Sequence, residues 1–437
     1  MNLYSTILKK IIFPCADKAI GTTYSHYIKQ FSKLDLASRD EIILWQNKKL
    51  QTLITHVYQN VPFYTEYMNN NNISPSDIRS AEDLDKFPPL DKSTIKSNFD
   101  KFIPKNINEI KYSIAATGGS TGEPLKYYLS NETQSAMWAK RICVLKKYGF
   151  QVGEKYLAMG SSSIIPNAKA SKKSTLFHQL LRMIPLSAAN MDANKCKEAI
   201  TLLKQHKIKM IYGYASSVFL LAKYILENNI KTPLRVCITT SEKLTEYYEK
   251  TIKEAFSCPV INEYGAREGG LYSYRCEQGN FHMIESCLYR IDGETKTGLI
   301  LATNLINYAM PFINYNVEDI ITLREEICEC GSNSFIFGDV VGRESQIMTL
   351  GNGRTVTGPA FTVLFSKLPV KCYQIVKTGD CAIELRIQKG KDYSKETEQL
   401  ILQSLKTHAG EDCSIVFNYK HNFIPLKNGK LDYFVTN

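Results

Sequence analysis

The chain has 437 residues, of which 44% are hydrophobic and 22% charged, with a formal net charge of +11. This composition excludes disordered and fibrous classes, and the length exceeds what one core usually supports, so a large unit plus a smaller one is expected. No apolar run approaches the roughly 20 residues of a membrane helix, no Lys/Arg block is long enough for a nucleic-acid arm, and the positive charge fits either a lysine-rich solvated surface or anionic partners.

The first residues carry a short apolar run broken by Lys9 and Lys10, which lacks the sustained apolar region of a signal peptide. With no export signal, the 12 cysteines are expected as reduced thiols or metal ligands in a cytoplasmic protein. Residues 1 to about 100 are expected to be helical. Asp40 to Met68 has apolar residues at helical spacing, interrupted at Val61-Pro62.

Beyond them, strands and helices alternate. Strands are expected at Tyr112 to Ala116, Ile208 to Tyr212 and Leu234 to Thr239. Helices are expected at Ser130 to Tyr148, Asp192 to His206, Ser216 to Asn228 and Thr245 to Phe256. The alternation predicts an α/β fold, a large layered N-terminal domain with a largely parallel sheet flanked by helices. From Val260 to Val341 the pattern turns β-rich. A boundary near Gly342 separates the core (1–341) from a small α+β C-terminal domain (342–437), with β runs at Cys372 to Val376 and Ile383 to Ile387 and a helix at Ser394 to His408.

Chemistry concentrates at a few points. Thr117 to Pro124 (TGGSTGEP) follows the Tyr112 strand directly. Gly118, Gly119 and Gly122 permit close backbone approach, and their N–H groups, with the hydroxyls of Thr117, Ser120 and Thr121, can bond phosphate oxygens. The spacing is neither a Walker loop nor a dinucleotide-binding fingerprint, and taken alone such a turn is as often structural as functional. Tyr264-Gly265-Ala266-Arg267-Glu268 offers an aromatic face for stacking, a tight turn, a cation and a carboxylate able to hold Mg²⁺. Asp319 sits on a strand edge and can accept from ribose hydroxyls, Arg343 follows Gly342 and can bind ribose or phosphate oxygens, and Lys430 follows the turn at Asn428-Gly429.

Two cysteine groups stand apart. Cys276 and His282 form a Cys-x5-His unit, and Cys328 and Cys330 a Cys-x-Cys unit before Gly331. Together they make a Cys₃His set suited to a structural Zn²⁺. The alternative is ordinary thiols in a cysteine-rich chain.

In this order and spacing the motifs resemble the acyl-adenylate-forming superfamily, within it the phenylacetate–coenzyme A ligase-like branch that includes the CapK-type proteins of capsular polysaccharide loci. The resemblance begins at Asn60 to Tyr64 (NVPFY). It continues through Leu90-Asp91-Lys92, the glycine loop, Tyr212 to Ala222 and Thr239 to Leu244, and ends at Gly429-Lys430. It implies ATP, Mg²⁺ and coenzyme A as reactants and cofactor, and a small-molecule carboxylic acid as substrate. An amine or hydroxyl of a sugar or carrier is the other conceivable acceptor.

By the same resemblance, Thr117, Ser120, Thr121 and Gly122 handle the β- and γ-phosphates and Tyr264 stacks on adenine. Glu268 holds Mg²⁺, Asp319 binds ribose, and Arg343 follows the core domain. Lys430 contacts the attacking carboxylate and the α-phosphate. The acyl pocket is expected near Tyr212, Tyr214 and Glu242. Three residues depart from the pattern: Arg267 where Thr or Ser is common, Glu318 where glycine is common, and Gln346 at the hinge between domains. These departures keep two other readings in view, an adenylyltransferase and a catalytically silent scaffold.

Overall fold

The computed structural model describes residues 3–116, 125–160, 164–165, 172–188, 191–293, 295–343, 347–352, 354–357, 365, 368–420, 423 and 434–435. The glycine loop at 117–124, Gln346, and Asn428, Gly429 and Lys430 lie outside these residues.

The N-terminal segment is helical, as its periodicity requires: α1 (Leu3–Ile7), α2 (Phe13–Ile20), α3 (Tyr24–Leu34), α4 (Arg39–Asn60), α5 (Pro62–Asn70) and α6 (Lys92–Ser97). A capping box starts α4, with the Ser38 hydroxyl accepting from the Glu41 N–H and the Glu41 carboxylate accepting from the Ser38 N–H, an arrangement worth about 1 kcal/mol. Val61 ends α4 in extended conformation, and Pro62 occupies the first turn of α5, where its missing N–H costs nothing.

Two strands, β1 (Tyr112–Ala116) and β2 (Lys126–Ser130), pair antiparallel and bracket the glycine loop. Helix α7 (Asn131–Lys147) follows. Then come β3 (Tyr156–Gly160), α8 (Lys172–Leu180), β4 (Met183–Ser187), α9 (Ala193–Gln205), β5 (Met210–Tyr214), α10 (Ala215–Glu227), β6 (Val236–Thr240), α11 (Glu246–Phe256) and β7 (Val260–Tyr264). Strands β4, β3, β5, β6 and β7 run parallel in that spatial order. The sheet continues antiparallel through β8 (Ser273–Arg275), β9 (Phe281–Met283), β13 (Ile336–Arg343), β12 (Tyr315–Arg324), β11 (Thr297–Asn304) and β10 (Cys287–Asp292), making 11 strands. The expected strands at 208–212 and 234–239 thus begin two residues later than the apolar pattern suggested, because Ile208 and Leu234 are buried just before the ladder starts.

Helices α9, α10 and α11 pack one apolar cluster on one face of the parallel strands. The N-terminal helices and α7 join the larger cluster on the other face. Residues 347–437 build their own sheets and their own core. Strand β14 (Ile347–Thr349) pairs with β15 (Thr355–Thr357), and a 4-stranded sheet orders β18 (Ser414–Asn418), β17 (Ala382–Lys389), β16 (Val370–Gly379) and β19 (Phe434–Val435). Helix α12 (Lys395–Ala409) contributes Ile401 and Leu405 to that core. The architecture is α/β, a large layered sheet domain followed by a small α+β unit. No helix among the described residues is long and apolar enough to cross a membrane.

One buried cation ties the large core together. Lys140 of α7 is 0% exposed and lies 2.7 Å from Glu285 and 3.0 Å from Asp35. Burial opposes its charge, but the two carboxylates win and hold the ammonium above its ordinary value. The contact joins the end of α3, the middle of α7 and the segment after β9. Removing one partner of a buried ion pair leaves uncompensated charge, so Lys140→Met is expected to cost about 3 kcal/mol or more of unfolding free energy. Urea titration monitored by circular dichroism measures this, and a loss below about 1 kcal/mol would show that the triad does not hold the core.

Candidate nucleotide site and metal cluster

The chain crosses between sides of the sheet at β3: β4 lies on one flank and β5 on the other. In open parallel sheets such a switch point, at the carboxyl ends of the strands, is where ligands bind. Tyr264 ends β7, two strands beyond β5, and opens the turn at 265–270. Gly265 is required there, because a Cβ would come 2.7 Å from the Leu271 carbonyl oxygen. The Tyr264 hydroxyl donates to Asp319 Oδ2 at 2.8 Å. Asp319 is buried and stands opposite Arg343 in the β12–β13 ladder.

Glu268 and Arg267 face the strand that leaves the glycine loop. Burial raises the Tyr127 phenol of β2, with Arg267 lowering and Glu268 raising it, so both charges act on that ring. Burial likewise drives Tyr315 of β12 well up, with Glu268 and then Glu318 adding to the shift. Elements distant in sequence, namely β2, the turn after β7, β12 and the end of β13, therefore meet around one site. The backbone of Arg343 belongs to it. The loop residues Thr117, Gly118, Gly119, Ser120, Thr121 and Gly122, and Lys430, are outside the described residues.

The second cluster lies at the other end of β13. The ligand atoms of Cys276, His282, Cys328 and Cys330 all fall within 4.8 Å of one another. Cys276 and His282 flank the β8–β9 hairpin, whose turn is opened by Gly279 at φ +80°. Cys328 and Cys330 sit on a knuckle that closes at Gly331, φ +84°. The sulfurs of Cys276 and Cys328 are 3.7 Å apart, and Cys330 Sγ is 3.2 Å from His282 Nε2. His282 Nδ1 pairs with the Ser334 hydroxyl at 2.9 Å, which leaves Nε2 facing the thiols. This is the outer partner that ligating imidazoles use. Burial, then Lys140 and Lys147, push the His282 imidazole down to about 4, so it is neutral and can ligate. Burial works to raise Cys328, yet the Cys330 N–H and the Asn280 amide outweigh it; the Asn280 contact is 3.2 Å. Cys276 is raised, and Cys330 pushed up to about 12, chiefly by burial, a penalty that a bound cation would cancel. The donor set and its supporting bonds fit one tetrahedral ion.

No protein-family model matches the chain. CapK of Staphylococcus aureus is 26% identical over 310 residues, covering 69% of this chain and 67% of that protein. Phenylacetate–coenzyme A ligase of Thermus thermophilus is 22% identical over 397 residues, covering 85% and 86%. A solved 2-hydroxyisobutyryl-CoA ligase, in its postadenylation state with 2-HIB-AMP, superposes with a TM-score of 0.72 at 15% identity, covering 93% of this chain and 92% of that one. These similarities to CapK and to phenylacetate–coenzyme A ligases, together with the shared fold, support the resemblance to the acyl-adenylate-forming superfamily and its phenylacetate–coenzyme A ligase-like and CapK branch.

At Glu318, where the resemblance would place a glycine, the departure has a backbone reason. Its φ is +68°, a left-handed conformation that glycine adopts freely and other residues at a cost. Here the Glu318 N–H donates to Asn316 Oδ1 at 2.8 Å, and its carboxylate accepts from Lys92 Nζ at 2.7 Å. Leu90, two residues before Lys92, also bridges to Tyr315, so the 90–92 segment is fastened to β12 beside Asp319.

The residues proposed for the acyl side are placed as follows. Tyr212 accepts from Arg141 Nη2 at 3.1 Å, and Arg141 forms a two-pronged pair with Glu263, at 2.7 and 2.6 Å. Tyr272 donates to the same Glu263 at 2.7 Å. Glu242 accepts from the Ser216 N–H at the start of α10, and Tyr214 is buried at the end of β5. A small cavity of about 30 Å³ lies under α7 and is lined by Trp138, Arg141, Leu145, Tyr156, Met210 and Tyr212; Tyr214 and Glu242 do not line it. No sequence spacing marks Arg141, Glu263, Asn280 or Ser334, since each acquires its role only through a tertiary partner.

The Glu318 geometry is directly testable. Glycine relieves the left-handed strain and alanine keeps it, so Glu318→Gly is expected to be about 1 kcal/mol more stable than Glu318→Ala. Equal urea midpoints and slopes for the two variants would contradict the backbone conformation at this strand position.

Proposed function

We propose that the chain activates a carboxylic acid with ATP, releasing pyrophosphate, and passes the acyl group of the resulting acyl-AMP to coenzyme A. The observation that carries this reading is the convergence of Tyr264, Glu268, Asp319 and the Arg343 backbone at the mouth of the strands, beside the two strands that bracket the glycine loop. Adenine stacks on Tyr264, and Asp319 is the ribose acceptor. The glycine loop cradles the β- and γ-phosphates. Mg²⁺ at Glu268 supplies charge neutralisation on the phosphates.

The carboxylate oxygen forms a bond to the α-phosphorus in line with the leaving pyrophosphate, whose bond to that phosphorus breaks. Most of the catalysis is positioning and electrostatic stabilisation, with Lys430 holding the carboxylate against the α-phosphate. The thiol sulfur of coenzyme A then attacks the acyl carbonyl, AMP departs, and the thiol proton is released. In this reading residues 342–437 are a mobile domain whose rotation withdraws Lys430 and admits the acceptor. With Tyr212 as a wall of the acyl pocket, an acid with an apolar body is favoured, since the Arg141 charge beside Tyr212 is already matched by Glu263. An amine or hydroxyl acceptor on a sugar or carrier is the variant suggested by CapK-type resemblance, and acceptor screening separates it from coenzyme A.

Pyrophosphate–ATP exchange over a panel of aryl and aliphatic acids is the deciding assay. Exchange that depends on one class of apolar acid is expected, with Lys430→Ala lowering its rate by at least about 100-fold while nucleotide binding survives. Exchange with no acid, or wild-type rates in the variant, would overturn the activity or the lysine role respectively.

We also propose that the Cys₃His cluster holds a structural Zn²⁺, because four protein ligands leave no open position for substrate. Protein purified without chelator is expected to carry one equivalent of zinc by elemental analysis. Cys328→Ser should lose it and melt at a lower temperature. Protein with no bound metal and an unchanged melting temperature in Cys328→Ser would remove the claim.

A further inference from the structure

Strand β9 is three residues long, and its middle residue is His282 of the metal cluster. The residue before it, Phe281, turns to the nucleotide side. Its ring stacks on Phe337 of β13, with centroids 5.0 Å apart and planes at 5°. Tyr264 meets both rings edge-on, at 6.3 Å from Phe281 and 5.6 Å from Phe337, with interplanar angles of 73° and 76°. Phe281 and Phe337 are register partners, as are His282 and Ile336. Both phenylalanines are buried, at 3% and 0% exposure. At the far end of β13, the backbone of Arg343 is the register partner of Asp319, whose carboxylate accepts from the Tyr264 hydroxyl. The ring of Tyr264 is therefore fixed at its edges by two phenylalanines and at its hydroxyl by Asp319.

We propose that Phe281 and Phe337 are positioning residues for the adenine platform, and that the Cys₃His centre sets their place through β9. This rests on the nucleotide reading of Tyr264 given above. The physical reason lies in the hairpin. Strands β8 and β9 have three residues each, and β9 meets β13 at only two register pairs. Ladders this short hold little by themselves. An ion shared by Cys276 and His282 on the hairpin and by Cys328 and Cys330 on the knuckle before β13 cross-links the two sides. Edge-to-face aromatic contacts then carry that placement to Tyr264. The centre acts on nucleotide affinity without touching the nucleotide.

The test uses the full chain, with a non-hydrolysable ATP analogue whose binding is measured by calorimetry, so that it does not depend on finding the acid. Phe281→Leu and Phe337→Leu keep an apolar side chain and remove the stacked pair. Each is expected to retain the wild-type metal content and circular dichroism and to weaken the analogue's Kd about three- to tenfold. Stripping the metal from wild type should weaken Kd by at least as much, and stripping it from Phe281→Leu should add less than it does in wild type. Wild-type Kd in both leucine variants would overturn the proposal. So would loss of affinity on metal removal that is equally large in wild type and Phe281→Leu, since it would show the metal acting by another route. If a leucine variant fails to fold, the other variant and the metal-stripped wild type still decide the outcome. Failure of the function reading has a separate signature, namely no measurable analogue binding in wild type.

Discussion

A carboxylate buried inside a sheet must find donors, and the placement of Asp319 organises the proposed nucleotide site. Asp319 is 6% exposed, so an unpaired negative charge there would be costly. It is met by the Tyr264 hydroxyl from β7 and stands opposite Arg343 of β13. In the strand order both elements lie on the same side of β12, β13 as its neighbour and β7 beyond β9 and β8. The ladder between β12 and β13 contains register shifts around Ile320 and Ile321, and irregularities of this kind re-aim side chains at functional edges. The strained Glu318 just before Asp319 belongs to the same bend. Its Lys92 partner is about one-third exposed, so the ion pair offsets only part of the strain. What it adds is attachment of the 90–92 segment to the strand.

The Cys₃His cluster and the proposed nucleotide site occupy the two ends of β13, which is 8 residues long, or about 23 Å between its terminal residues at the usual rise. A long strand pinned at both ends is a stiff connector. At the cluster end the pinning extends into the helical segment: Arg39 donates to the carbonyls of Asn333 and Ser334, and Asn333 donates to the Ala37 carbonyl. Lys140 and Asp35 lie close enough to His282 to act on its charge. The helical leading segment, the buried cation and the Cys₃His cluster thus form one connected region behind the sheet. This explains why residues so far from the substrate need such specific polar contacts.

Much of this was legible in the sequence, for identifiable reasons. Helical periodicity located α4, α7, α9, α10 and α11, because each buries one stripe against the sheet. The Val61-Pro62 break was read from proline geometry alone. The two halves of the metal set were visible as Cys-x5-His and Cys-x-Cys, although 45 residues separate His282 from the second pair's nearer neighbourhood and only the β9–β13 pairing brings them together. The strands β3 and β4 went unread, since short fully buried runs such as Tyr156–Gly160 carry no alternation. Arg141 and Glu263 look like surface charges in sequence. Only the fold reveals that they neutralise each other over 2.6 Å beneath α7.

The two halves of the reaction differ in how they can be read. Nucleotide recognition depends on residue types with fixed chemistry, such as an aromatic face, a carboxylate for ribose hydroxyls and a glycine turn for phosphates, so its signature survives at 26% identity and lower. Acyl recognition depends on the shape and volume of an apolar cavity, and many combinations of side chains produce the same shape. Around Tyr212 the polar groups are spent on one another: Arg141 on Glu263, Tyr272 on Glu263, Tyr212 on Arg141. A wall whose charges are satisfied internally rejects a second charged group, because that group would have to be desolvated without a partner. In the proposed reading, with Tyr212 as a wall of the acyl pocket, the same network that hides the substrate's identity from the sequence disfavours acids whose bodies carry a charge of their own.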